Sequence, residues 1–144
     1  MSDNAATMRL AMEEFCAGDF AAFDARLASD FVHTANPLFH REDEAPQFSS
    51  ISERMASFAA RGITARSRLV GIEALRPDAF VATMSLSSET PTGEGMSMLA
   101  GVVVTFDRAG RINHVHTYDT PGAARAAAAT GCCDAHRRQA IRAA

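Results

Sequence analysis

His114 and His116 stand one residue apart in the run INHVHTYD, so on an extended strand their two imidazoles share one face. Paired imidazoles at this spacing occur in many strand-borne metal sites, but two ligands do not complete a zinc or iron centre. Cys133 and His136 stand at helical spacing beside Cys132, yet no second ligand pair accompanies them, and a structural zinc needs four ligands. The chain contains no phosphate loop, no dinucleotide fingerprint and no serine elbow. What its single polar groups can do therefore depends on the elements that position them.

The chain has 144 residues, the size of one ordinary domain with a single core. Hydrophobic residues make up 47% and charged residues 22%, and the mean hydropathy is -0.06, values of a soluble globular protein rather than a disordered one. No apolar run reaches membrane-spanning length, and Met1 to Leu10 lacks the basic start and apolar core of a signal peptide, so no membrane association and a cytoplasmic location are expected. A net charge of -3 argues against a nucleic-acid partner. Every basic residue is arginine. The three cysteines, Cys16, Cys132 and Cys133, are odd in number and two are adjacent, which points to reduced thiols.

Met8, Met12 and Phe15 form one helical stripe and Phe20, Phe23 and Leu27 a second, divided by Ala17-Gly18-Asp19; Gly18 suits a helix end and Asp19 the next N-cap. Phe31 to Asn36 alternates and stops at Pro37, giving a first strand with Val32, Thr34 and Asn36 on one side and Phe31, His33 and Ala35 on the other. Ile51, Met55 and Phe58 predict a third helix that stops at Gly62. Thr64 to Asp119 then reads as a four-stranded antiparallel meander whose loops are RPD, TPTGEG and DRAGR. Phe80, Ala82, Met84 and Leu86 share a face, as do Met96, Met98, Ala100, Val102, Val104 and Phe106, and so apolar a face must meet helices. Beyond Pro121 an alanine-rich helical tail spans 122–144, without forming a separate domain.

This order of helix, AGD turn, helix, strand ending before a proline, helix and long meander closing in GRINHVHTYD resembles the nuclear-transport-factor-2-like superfamily, and within it the SnoaL-like and ketosteroid-isomerase-like branch, over about residues 6–121. The resemblance implies an α+β, cone-shaped fold in which a curved mixed β-sheet wraps around three N-terminal helices and leaves an apolar pocket at its open end. Ketosteroid isomerases carry a catalytic Asp before the proline of the first strand, where this chain has Asn36; their oxyanion-hole Asp matches Val102; and Met8 to Cys16 offers no tyrosine, Tyr118 being the single one. Ketosteroid isomerization is therefore not expected.

SnoaL-like cyclases resemble this chain where Tyr118-Asp119 ends the last strand. On that parity Asn113, Val115, Thr117 and Asp119 face the pocket, with Asp119 as general base or acid, since a carboxylate at an apolar rim loses water and becomes a better proton acceptor. Val32, Thr34, Asn36, Met84, Met98, Val102, Val115 and Thr117 are the expected substrate contacts. The reading is of proton transfer on a small apolar organic ligand without a cofactor, as in isomerases, cyclases, dehydratases or hydrolases; its alternative is a non-catalytic ligand-binding or dimerization module. The implied fold also sets His33 beside His114 and His116, on the face away from the pocket, so a subunit interface is expected there rather than a metal. That face, with Val81, Leu99, Val103 and Tyr118, is expected to close a homodimer that loosens in acid.

Overall fold

The computed structural model describes residues 3–35 and 50–130; Asn36, Pro37, Cys132, Cys133 and His136 lie outside them. The described elements run α1 (Asn4–Cys16), α2 (Phe20–Asp24), β1 (Leu27–Ala35), α3 (Ile51–Ala60), β2 (Thr64–Arg76), β3 (Ala79–Glu89), β4 (Gly95–Phe106), β5 (Ile112–Tyr118) and α4 (Pro121–Thr130). The architecture is α+β: a curved, open five-stranded sheet in the order β1-β5-β4-β3-β2 with helices packed on it. β1 runs parallel to β5, and the other pairs are antiparallel, so the sheet is mixed. Irregular pairing within β1, twice in β2 and between β4 and β5 bends the sheet, as an extra unpaired residue does.

Local chemistry explains the helix boundaries. Gly18 adopts φ 81° after α1, and Asp19 caps α2 by accepting from the Ala22 amide at 3.2 Å. Ser50 caps α3 by accepting from the Glu53 amide at 3.0 Å, and Gly62, at φ 72°, ends that helix turn. Asp24, at the end of α2, accepts from the Ile51 amide at 2.9 Å and the Ser52 amide at 3.2 Å, so one carboxylate supplies two of the otherwise unpartnered amides of α3 and fixes it against α2. Asp24→Ala should lower stability by about 1–2 kcal/mol in a denaturant titration, in the range for a lost cap. A variant as stable as the parent would show that α3 is held by packing alone.

The inner face of the sheet meets α1, α2 and α3 around Met8, Met12, Phe23, Ile51, Phe80, Met84, Val104 and Phe106, and the Phe80 and Phe106 rings meet edge to face at 5.6 Å. The outer face is not open where Val81, Val103 and Tyr118 lie. There α4 packs on it through Ala124, Ala127 and Ala128, with Leu75 alongside, and the exposed Arg125–Glu73 ion pair at 2.7 Å ties α4 to β2. The expected reason for a dimer at these three residues thus gives way to a contact within the chain. No helix among the described residues is long and apolar enough to cross a membrane.

Candidate functional site

A cavity of about 290 Å³ opens between the three N-terminal helices and the inner face of the sheet, near the lower end for small-molecule sites. Met12, Phe15 and Phe23 close one side, Ile51, Met55 and Phe58 of α3 another, and Met84, Leu86, Met96, Val102 and Val115 form the sheet wall. Its polar lining includes His33, Arg54, Arg61, Arg66, Thr117 and three serines of β2 and β3.

Four of the expected contacts, Met84, Val102, Val115 and Thr117, lie in this wall. Val32, Thr34, Met98 and Asp119 do not, and Asn36 is outside the described residues. From β5 the wall receives Val115 and Thr117, whereas from β1 it receives His33 and not Val32 or Thr34. Parallel pairing sets His33 opposite Val115 and Thr34 opposite His116, so His33 shares the pocket face and Thr34 the outer one. There the Thr34 hydroxyl lies 2.7 Å from His114 Nε2 and also bonds His116 Nδ1. The three expected neighbours are thus divided by the sheet. Among the described residues no group of three or more His, Cys, Asp or Glu side chains is placed to hold a metal ion.

Asp119, the expected base, is exposed one residue beyond β5. Asn113 accepts a hydrogen bond from the Thr105 hydroxyl at 2.6 Å instead of lining the cavity.

Two polar groups of the wall are His33, expected on the outer face of the sheet, and Arg54, which the sequence reading did not single out. His33 is 4% exposed, and burial, followed by the nearby Arg54 charge and then His114 and His116, holds its pKa well below the usual 6.5. At neutral pH it is an uncharged imidazole. Arg54 is 7% exposed, with its guanidinium 5.0 Å from the centre of the Phe58 ring. The signal for Arg54 is its place at the helical spacing of Ile51, Met55 and Phe58, within the buried stripe. For His33 no single-strand signal exists, because its face follows from pairing with β5.

No family model and no curated protein matches the chain. Solved structures do match it. An NTF2-like protein of unknown function from Burkholderia pseudomallei is 18% identical, with a TM-score of 0.67 over 85% of this chain and 95% of that one. This chain has the nuclear-transport-factor-2-like fold. The same fold relates it to a Mycobacterium tuberculosis protein in complex with estradiol-17β-hemisuccinate, at 15% identity and a TM-score of 0.61 over 82% and 94% of the chains. A Delta 5-3-ketosteroid isomerase from Mycobacterium sp. is also 15% identical, with a TM-score of 0.59 over 82% of this chain and 93% of that one. In this chain the described lining residues of the cavity include an imidazole and guanidiniums but no carboxylate.

Proposed function

We propose that the chain binds a small, largely apolar organic molecule in its cone and moves a proton on it, with His33 as the group that accepts and returns the proton. The observation that carries this reading is a neutral, buried imidazole in the wall of an otherwise mainly apolar cavity. An uncharged imidazole offers a lone pair to a proton and can give the proton back after rearrangement. The structural neighbour described with a bound steroid ester supports ligand binding in this kind of cone. The free Cys16 thiol agrees with work in the reducing cytoplasm.

The test is turnover over a panel of enolizable ketones, lactones and epoxides, with ligand binding followed in parallel by thermal shift. His33→Gln should lower kcat by about 10²–10⁴-fold, the usual contribution of a general acid or base, with the ligand-induced shift in melting temperature retained. Asp119→Asn should leave kcat within a few-fold. If Asp119→Asn alone abolished turnover, the exposed carboxylate expected from strand position would be the base. Binding without turnover by the parent protein would favour the second reading, a non-catalytic ligand-binding module, which the mainly apolar lining also supports.

A homodimer is also part of this proposal, through the part of the outer sheet face that α4 leaves open. Leu99, opposite Ser85 and on the same side as Val103, is 53% exposed there. Light scattering of the parent protein at micromolar concentration should show a dimer and Leu99→Arg a monomer. A monomeric parent protein ends this part of the proposal.

A further inference from the structure

We infer that the Met96 thioether, at the mouth of the cone, is a site of reversible oxidation, and that its sulfoxide weakens the hold of the cavity on apolar molecules. The first half stands on the structure of the rim alone; the second rests on the reading of the cavity as a ligand site. Met12, Met55, Met84 and Met96 are among the described residues that line the cavity. Met12 and Met84 are buried and Met55 is half-buried, whereas Met96 is 42% exposed. The course of β4 explains the difference: it is exposed from Gly95 to Ser97 and buried from Ala100 onward, so the strand runs from the open end of the cone into its core. Oxidation of a thioether follows its exposure, so Met96 meets an oxidant in solution first while still forming part of the apolar wall.

Antiparallel register sets Met96 opposite Ser88, which also lines the cavity. Side chains opposed in this way stand about 5 Å apart at their Cβ atoms, within reach for a serine hydroxyl to donate to a sulfoxide oxygen. Hydrogen peroxide is the oxidant. A sulfur lone pair attacks one peroxide oxygen, the S–O bond forms as the O–O bond breaks, and the proton of the attacked oxygen passes to the leaving hydroxide to give water. Sulfur loses the two electrons that the peroxide gains. A thiol-dependent methionine sulfoxide reductase reverses the change, releasing the oxygen as water and leaving a disulfide. Oxidation thus puts a polar, chiral group where a flexible apolar one faced the cavity. Cys16 competes poorly for the peroxide, because burial raises its thiol pKa and the thiolate is the reactive form. Met96 and Leu99 lie on opposite faces of β4 by strand parity, so a dimer formed through Leu99 leaves the thioether accessible.

Treatment of the full chain with hydrogen peroxide, with the oxidised methionines located by tandem mass spectrometry, tests the first half. Met96 should oxidise at least about tenfold faster than Met12 and Met84, and ahead of the half-buried Met55 and Met98. Oxidation of Met55 or Met98 before Met96, or equal rates at Met96 and Met84, would overturn the assignment. Binding of N-phenyl-1-naphthylamine, a neutral dye that brightens in apolar surroundings, tests the second half. The chain oxidised at Met96 should bind the dye about 5–30-fold more weakly, the equivalent of roughly 40–80 Å² of lost apolar contact. Methionine sulfoxide reductases of both epimer specificities should restore the affinity. Met96→Leu, close in volume, should bind within about threefold of the parent and keep that affinity through peroxide treatment. An equal loss of affinity in Met96→Leu would overturn Met96 as its source, and full affinity in the Met96 sulfoxide would overturn the effect on binding. No dye binding by the untreated parent up to the solubility limit of the dye would remove the ligand-site reading and the second half with it, while the oxidation rates decide the first half separately.

Discussion

Gly101→Ala should loosen α4 from the sheet and lower stability by at least about 1–3 kcal/mol, the usual cost of overpacking, with Gly101→Val worse. A Cβ at residue 101 would stand 2.6 Å from the Ala124 Cβ, 2.7 Å from the Pro121 Cα and 2.8 Å from the Thr120 carbonyl oxygen. Two of those three atoms are backbone and the third is fixed to a helix backbone, so relief requires moving α4 as a unit. Tyr118 is buried beneath the same helix and is the single tyrosine of a chain without tryptophan. Its fluorescence therefore reports the contact directly. The variant should show a more water-exposed tyrosine signal and an earlier denaturant midpoint, whereas Ala129→Ser on the exposed side of α4 should show neither. An unchanged midpoint and spectrum in Gly101→Ala would mean that α4 does not approach β4 this closely.

The second large effect is the acid sensitivity that His33 gives the fold. Its folded-state pKa lies well below the ordinary value near 6.5, mainly through burial. Below that ordinary value the unfolded chain takes up a proton that the folded chain refuses, so acid favours unfolding. His33 should therefore leave stability unaffected above about pH 6.5 and lower it by up to about 1.4 kcal/mol for each pH unit below, until the folded-state pKa is reached. Denaturant titrations at intervals from pH 7.5 to 5 measure this slope. His33→Gln should reduce it by about one proton's worth, even if the variant is less stable at every pH. A slope identical in the two proteins would place the acid sensitivity in other groups and the imidazole in contact with water.

Much of this architecture is legible before any coordinates. The Gly18 and Gly62 stops, the Asp19 cap, the three hairpin loops and the inner stripe from Phe80 to Leu86 all depend on neighbours close in sequence, where residue type and spacing carry the physics. The face of β1 depends instead on a partner about eighty residues away. Alternation shows that Val32 and Thr34 oppose His33, but only the pairing of His33 with Val115 shows which set enters the cone. Arg54 is hidden for another reason: a charged residue in an apolar helical stripe is easily assigned to the solvent face, although its position marks it as buried. The cover on the outer face is missed because alanines look like tail rather than core. Their small size is what lets α4 lie against the bare backbone of Gly101.

The Thr34 hydroxyl between two imidazoles has a consequence for where hydrogens reside. It bonds both His114 Nε2 and His116 Nδ1 but carries a single hydrogen, so it cannot donate to both rings. At least one of those two nitrogens must itself bear the hydrogen, and the tautomer of one ring constrains that of the other. The permitted arrangements exclude the state in which His114 is protonated only at Nδ1 while His116 is protonated only at Nε2. Two aromatic side chains on the same strand thus share one tautomeric choice, made by a threonine on the neighbouring strand.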